Sequence, residues 1–212
     1  MRSPVSERLR SGAVIAVLRA ASVPQLYPVC DVLVEEGIRS LEFTLTTPGL
    51  LDALPELHER YSGSADVGVG TVTRLEQARA ALDRGADYLV TPTMNLAVIA
   101  LAVRAGAAVF PGGLTPTELY TGWQAGATAV KIFPAQTVGP GYLTHLRGPF
   151  PDLVAVPSGG LDLAAAHAWL AAGAVAVSLG GPLLADALSG GDLAALRERC
   201  RATRRVVQAV RS

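Results

Sequence analysis

Lysine is nearly missing from this chain of 212 residues. Lys131 is the only lysine, so the other seventeen of the eighteen Lys and Arg side chains are arginines. Net charge is missing too, because eighteen acidic residues balance the eighteen basic ones. A chain without net charge creates no general field that would attract nucleic acid or an anionic membrane. We therefore expect neither as a partner.

Cysteine and long apolar segments are also scarce. Cys30 and Cys200 lie far apart and have no metal-ligand spacing, which predicts buried thiols rather than a disulfide framework. The three histidines do not pair with each other or with the cysteines, so no metal site is expected. The first ten residues lack the apolar stretch of a secretory signal, and no apolar run reaches membrane-spanning length. These absences predict a cytoplasmic protein.

What the chain does contain is a lysine inside an apolar segment. Lys131 lies within the run Ala-Val-Lys-Ile-Phe at residues 129–133, where a surface charge is out of place. Arginine keeps its charge permanently, whereas a buried lysine can lose its proton and become a nucleophilic amine. A solitary lysine in a buried strand therefore indicates a candidate Schiff-base nucleophile.

Eight short segments rich in Val and other apolar residues recur along the chain, and they predict eight strands. They span residues 13–19, 40–45, 66–71, 88–93, 108–113, 129–134, 153–160 and 174–181. Between them lie segments with helical spacing, such as 75–84, 96–104 and 163–172. This alternation predicts parallel strands covered by helices. Eight units in one domain, residues 1–212, predict a compact α/β fold, a (β/α)8 TIM barrel, with a short extra N-terminal helix at Val5–Arg10.

Alternation along the strands predicts which side chains point into the barrel. Lys131 and Phe133 share one face of their strand, and Glu42 and Thr46 share the inward face of the second strand. An isolated buried charge is costly, so the buried acid Glu42 and the buried base Lys131 should meet. A structural ion pair is the alternative to a catalytic pair. The absence of lysine elsewhere favours catalysis.

Other candidates lie where strands end, at the end of the barrel that carries active sites in this fold. Arg19 suits a carboxylate clamp, although an arginine near any opening can also form a rim salt bridge. Thr71 can offer a hydroxyl to the same carboxylate. Glycine pairs follow the seventh and eighth strands, where such barrels often bind phosphate through backbone N–H groups, although ordinary turns also use glycine. These residues are Ser158, Gly159 and Gly160, with Gly180 and Gly181.

With these residues identified, the chain resembles the class I 2-keto-3-deoxy-6-phosphogluconate (KDPG) aldolase and 4-hydroxy-2-oxoglutarate aldolase family. The resemblance runs through nearly the whole chain, and its most specific elements are Glu-x-Thr and Lys-Ile-Phe-Pro. The stretches that carry it include AVLRA (16–20), GIRSLEFTLTTP (37–48), GVGTVT (68–73), FPGGLTPTEL (110–119), AVKIFPAQTVGPGYL (129–143), VPSGGL (156–161) and VAVSLGGPL (175–183).

The resemblance implies a role for each candidate. Lys131 becomes the Schiff-base lysine and Glu42 the general acid and base. Arg19, Thr71 and Pro92 line the pyruvate end of the substrate, and residues 158–160 hold its distal end. The resemblance further implies a homotrimer that needs no cofactor.

Two positions depart from the pattern of the family it resembles. Thr46 stands where some members carry a substrate-binding arginine, which leaves Arg19 as the main carboxylate clamp. Pro182 follows Gly181 where members have a phosphate-binding serine, and proline has no N–H to donate. Ser158 stands where many members have threonine, so a relaxed stereochemical preference is expected.

The resulting hypothesis is an aldolase, a carbon–carbon lyase that splits a 2-keto-4-hydroxy acid into pyruvate and an aldehyde. Substrates of this class include KDPG, its galactonate epimer and 4-hydroxy-2-oxoglutarate, so the class contains compounds with and without a phosphate. Two alternatives remain open. One is a phosphosugar isomerase or synthase on the same barrel with Glu42 as base, and the other is a non-catalytic barrel that binds a keto acid.

Overall fold

Eight parallel strands alternate with helices along the chain. The computed structural model describes residues 1–211. Every observed strand falls inside a segment predicted from the sequence; β5 matches its segment, and the other seven are shorter at one or both ends. The strands are β1 Val14–Leu18, β2 Ser40–Thr44, β3 Asp66–Gly70, β4 Tyr88–Thr91, β5 Ala108–Gly113, β6 Val130–Ile132, β7 Ala155–Pro157 and β8 Val177–Leu179.

The helices between the strands form the outer layer of the fold. Short 3₁₀ turns at Val23–Gln25, Ala135–Thr137 and Ala187–Ser189 supplement them. The α-helices are α1 Glu7–Gly12, α2 Leu26–Glu35, α3 Leu50–Tyr61, α4 Leu75–Asp83, α5 Leu96–Ala105, α6 Pro116–Gln124, α7 Gly141–Arg147, α8 Leu163–Ala171, α9 Gly181–Leu184 and α10 Leu193–Arg211. None of the helices within residues 1–211 is both long and apolar enough to cross a bilayer.

The local sequence explains where several helices begin and end. Thr115 caps α6: its hydroxyl accepts from the Glu118 N–H, the Glu118 carboxylate accepts from the Thr115 N–H, and Pro116 follows at the first helical position. At the other end of such segments, Gly106 closes α5 in the left-handed region with φ 70°. The helix predicted at Val5–Arg10 begins two residues later, because Ser6 acts as its N-cap.

The strands pair in the order β7-β6-β5-β4-β3-β2-β1-β8, and every ladder is parallel. A bridge between Ser158 and Ser178 joins the two ends of this order, which closes the sheet into a barrel. The predicted (β/α)8 barrel is therefore confirmed. In the register of the sheet, Glu42 lies opposite Val17 and Gly68, and Lys131 lies opposite Gly112 and Val156.

Two apolar clusters hold the barrel together. The larger one lies between the strands and the helices. The smaller one fills the barrel below the strand ends and includes Ile15, Tyr88, Val90, Phe110, Ala129, Val156 and Ala176. Val5 and Leu9 join this inner cluster, so the N-terminal segment and α1 cover the barrel floor. The packed interior leaves the carboxyl ends of the strands as the place for a site.

Candidate active site

A cavity of about 280 Å³ opens at the carboxyl ends of the barrel strands. Eleven of the twelve predicted site residues line it: Arg19, Glu42, Thr71, Pro92, Lys131, Phe133, Ser158, Gly159, Gly160, Gly180 and Gly181. The fold thus brings together residues from β1, β2, β6 and the loops after β3, β4, β7 and β8. Active sites of this fold occur at this end of the barrel, in cavities lined by residues from several strands.

Lys131 and Glu42 face each other inside this cavity. Lys131 projects from β6 and is 8% exposed, and Glu42 projects from β2 and is 1% exposed. The distance from Lys131 Nζ to Glu42 Oε1 is 3.9 Å. The expectation that the buried acid and the buried base would meet is therefore confirmed. The separation is too long for a direct hydrogen bond and leaves the two groups close enough to act on one small molecule.

The environment of Glu42 favours its neutral form. Burial raises the pKa of the Glu42 carboxyl, and the positive charges of Lys131 and Arg19 offset part of that rise. Its Oε2 atom is buried and has no hydrogen-bond partner among residues 1–211. A carboxyl whose pKa is moved toward neutrality, with one oxygen free inside a cavity, suits proton transfer.

Glycines in β3 make room for this carboxyl group. A Cβ atom on Gly70 would lie 2.0 Å from Glu42 Oε1, and one on Gly68 would lie 2.0 Å from the Tyr88 ring. No real Cβ tolerates such contacts. The motif Gly68-Val69-Gly70 therefore serves close packing, and at Gly70 the group packed against the backbone is the candidate acid itself.

Thr71 follows Gly70 in a strained conformation at the edge of the cavity. Its φ is 58°, in the left-handed region that side chains other than glycine rarely adopt. Such a residue costs on the order of 1–3 kcal/mol and clusters at active sites and ligand clamps. The strain supports the prediction that the Thr71 hydroxyl is aimed at a ligand.

The loops after β6 and β7 are locked to each other beside Lys131. The Ser158 N–H donates to the Ile132 carbonyl at 3.0 Å, and the Ala135 N–H donates to the Ser158 carbonyl at 2.8 Å. Gly160 has φ 74°, and a Cβ there would strike Gln136 Oε1 at 2.1 Å. The Phe133 ring centroid lies 5.4 Å from Lys131 Nζ. The predicted distal wall of the site is thus held by backbone hydrogen bonds and close contacts between the two loops.

Thr46 is the predicted residue that the structure does not bring into the cavity. Strand β2 ends at Thr44, and the next residues turn, with the Thr47 N–H donating to the Thr44 carbonyl at 2.9 Å. Thr46 is exposed, its hydroxyl lies 2.9 Å from that of Thr44, and it is not among the cavity-lining residues. Thr46 was expected on the inward face of β2, but it lies beyond the end of that strand and does not line the cavity.

Four lining residues were missed by the sequence argument: Val17, Leu161, Ser178 and Pro182. A signal was available for Ser178, since alternation in β8 places it on the inward face between Ala176 and Gly180. Serine in an apolar strand is unremarkable by itself, and nothing in the sequence marks its depth in the barrel. No group of three or more His, Cys, Asp or Glu side chains in the described part of the chain is arranged to hold a metal ion.

Comparisons with known proteins show which family the chain resembles. A family model described as KDPG and KHG aldolase matches residues 5–198. The 2-dehydro-3-deoxy-6-phosphogalactonate aldolase of Escherichia coli K12 is 34% identical over 80% of this chain and 83% of its own. The KHG/KDPG aldolase of the same strain is 32% identical over 87% of both chains. A solved native KDPGal structure superposes with a TM-score of 0.86, at 29% identity over 93% of this chain and 95% of its own. This chain belongs to the KDPG and KHG aldolase family, whose members are carbon–carbon lyases.

Proposed function

We propose that Lys131 is the Schiff-base nucleophile of this aldolase and that Glu42 is its general acid and base. The observation that carries the proposal is the position of Lys131 Nζ, 3.9 Å from Glu42 Oε1 inside the cavity at the strand ends. A structural ion pair explains this arrangement less well. Pairs of that kind can often be exchanged for apolar residues without loss of stability.

The proposed reaction begins with attack of the neutral Lys131 amine on the C2 ketone of a 2-keto-4-hydroxy acid. Glu42 supplies the proton with which the carbinolamine loses water, and an iminium forms. The ionised Glu42 then takes the proton of the C4 hydroxyl as the C3–C4 bond breaks, and the iminium accepts the electron pair. An aldehyde leaves, the enamine is protonated at C3, and water releases pyruvate from Lys131. Neither a metal nor an organic cofactor enters these steps.

Arg19 and Thr71 are proposed to hold the carboxylate of the keto acid. The guanidinium of Arg19 is exposed at the cavity mouth and acts electrostatically on Glu42, so it lies near the reacting groups. Arginine binds a carboxylate through two parallel hydrogen bonds. Since position 46 is a threonine, Arg19 is the arginine that lines the cavity and can take this task. Pro92 and Phe133 complete the apolar walls.

The distal part of the substrate is proposed to lie against Ser158, Gly159 and Gly160, with Gly180 and Gly181 after the neighbouring strand β8. Relatives named for phosphogalactonate and for phosphogluconate substrates both resemble the chain. We therefore propose a 2-keto-4-hydroxy acid substrate such as KDPG, its galactonate epimer or 4-hydroxy-2-oxoglutarate. Comparison of kcat/KM for these three compounds tests the substrate class and the need for phosphate.

Borohydride trapping tests the covalent chemistry with unusual clarity, because the chain has a single lysine. Reduction with pyruvate should attach one adduct, and peptide mass spectrometry should locate it on Lys131 rather than on the N-terminal amine. Lys131→Arg keeps the charge and removes the nucleophile, so it should yield no adduct and lose about a thousandfold or more in cleavage rate. The matched control is Arg79→Lys, which adds an exposed lysine that should remain unmodified.

The same experiment separates the alternatives. An isomerase or synthase that uses Glu42 as base predicts turnover without an adduct. A non-catalytic barrel predicts ligand-dependent stabilisation without product. If Lys131→Arg cleaves the substrate at the normal rate, Lys131 has only a structural role.

We further propose that the enzyme works in the cytoplasm as a homotrimer, as expected from the family resemblance. Light scattering coupled to size-exclusion chromatography should report three times the 21.9 kDa mass of one chain. A monomer peak at working concentration would contradict the trimer.

A further inference from the structure

Ser178 has a buried hydroxyl for which the protein provides no partner. The residue is 4% exposed, lines the cavity, and its Oγ has no hydrogen-bond partner among residues 1–211. Buried hydroxyl groups are nearly always hydrogen-bonded, because leaving one unpaired forfeits its hydration. A hydroxyl of this kind at the wall of a cavity indicates a ligand group as its partner.

The register of the sheet relates the height of Ser178 to that of Lys131. Lys131 lies opposite Val156 on β7, and Ser178 lies opposite Ser158, two residues further along β7. Moving from β6 to β8 therefore crosses two strands and advances two residues. In a barrel of eight strands with a shear number of eight, the strands tilt relative to the barrel axis. A residue paired on the next strand therefore lies lower along that axis by the height of one residue. The two-residue advance cancels that drop, so Ser178 and Lys131 lie at the same height.

The same relation holds between Ser178 and Glu42. Ser178 lies opposite Ile15 on β1, and Glu42 lies opposite Val17, two residues further along β1. The step from β8 to β2 again crosses two strands and advances two residues, so Glu42 lies at the same height as Ser178. Glu42, Lys131 and Ser178 thus belong to one layer of the barrel interior. They come from the alternate strands β2, β6 and β8, as such layers do.

Position within this layer puts Ser178 beside both reacting groups. A layer holds four side chains, and by the same register Val90 of β4 is the fourth. Val90 therefore flanks Lys131 and Glu42 on one side with an apolar surface, and Ser178 flanks them on the other with a hydroxyl. The short serine side chain stays low in the layer, whereas the Glu42 carboxyl extends toward Gly70 nearer the mouth. Ser178 is the polar element of the cavity floor.

We propose that the Ser178 hydroxyl donates a hydrogen bond to the oxygen on C2 of the bound keto acid and so assists the departure of that oxygen as water. This inference rests on the proposed function of Lys131 and Glu42. In the step, protonated Glu42 gives its proton to the carbinolamine hydroxyl, while the Ser178 hydroxyl donates a hydrogen bond to the same oxygen. The C2–O bond breaks, water leaves and the nitrogen lone pair forms the iminium. Ser178 ends unchanged and Glu42 ends as the carboxylate.

The C2 oxygen is favoured over the C4 oxygen as the partner of Ser178. C2 is the atom bonded to Lys131 Nζ, so its oxygen stays close to the layer that contains Lys131. C4 lies two carbon atoms further along the substrate, toward Ser158 and the loop glycines at the mouth. A hydroxyl low between Lys131 and Glu42 therefore meets the C2 oxygen first.

Exchange of the C2 oxygen of pyruvate with water tests the proposal without any aldehyde. Pyruvate labelled with ¹⁸O at C2 loses the label each time the imine forms and hydrolyses, and mass spectrometry follows the loss. Ser178→Ala should slow the exchange by about tenfold, in line with loss of one hydrogen bond to the departing oxygen. Ser178→Thr should restore much of the rate, because it keeps the hydroxyl. The control is Ser62→Ala, at the end of α3 that leads to the amino end of β3.

Stability provides the second readout. Since the Ser178 hydroxyl has no partner in the protein, Ser178→Ala should melt at the wild-type temperature or above it. Unchanged oxygen exchange in Ser178→Ala would overturn the proposal, even if cleavage slows, because the serine would then act on the aldehyde half. A clear fall in melting temperature would overturn it as well, since the hydroxyl would then be structural. Absence of any borohydride adduct in the wild-type protein would instead refute the proposed function itself.

Discussion

Replacing Gly70 by alanine should disable the site while the barrel stays folded. The new Cβ would lie 2.0 Å from Glu42 Oε1, 2.6 Å from Cδ and 2.7 Å from Cγ. Ordinary contact begins at 3.4 Å, so the carboxyl oxygen must retreat from 2.0 Å to at least that distance. A displacement of roughly 1 Å at a catalytic group can cost about a hundredfold in rate, so kcat/KM should fall by about that factor.

The cost in stability should be smaller than the cost in activity. The Glu42 side chain can rotate, so overpacking at Gly70 should lower the free energy of unfolding by about 1–3 kcal/mol. Pyruvate release, coupled to NADH oxidation by lactate dehydrogenase, measures cleavage, and urea unfolding measures stability. The matched control is Gly63→Ala, where a Cβ meets nothing within 4 Å and both quantities should be unchanged. A folded Gly70→Ala protein with activity within roughly twofold of wild type would refute the placement of Glu42 in the reaction.

Three further predictions concern neighbouring groups. Burial raises the pKa of Glu42, so its ionisation opposes folding: the free energy of unfolding should fall as pH rises from the ordinary glutamate value through the raised one. Glu42→Gln should lack that fall in urea titrations. Thr71→Gly should relieve about 1 kcal/mol of backbone strain, which thermal melting measures. It should also raise the KM for the keto acid as much as Thr71→Ala does, which steady-state kinetics measure. Tyr88→Phe breaks a buried hydrogen bond of 3.0 Å to Ser40, so it should cost about 1–2 kcal/mol in denaturant unfolding and leave kcat/KM unchanged.

Local pattern was enough to predict the strands and the central pair. Each strand is a short apolar run. Successive side chains leave a strand on opposite faces, so alternation predicted that Lys131 points inward and Ile132 points outward. The cost of burying a lone charge then predicted that Lys131 and Glu42 meet. Both inferences need only the residue and its immediate neighbours.

Thr46 shows where local pattern fails. Alternation predicted that Thr46 faces inward, but β2 ends at Thr44 and the turn directs Thr46 to solvent. Where a strand ends depends on its partners across the sheet. Those partners are distant in the sequence.

The sequence by itself determined the alternation of eight strands with helices, the inward direction of Lys131 and Glu42, and the family resemblance, since each rests on short-range periodicity or on motifs. The tertiary structure alone decided how far along the barrel axis each inward side chain lies. Height follows from the stagger of the whole closed sheet, which sums the register of every strand pair. That stagger brings Ser178 level with Lys131 and Glu42, and makes Gly70 the residue that gives the acid its room.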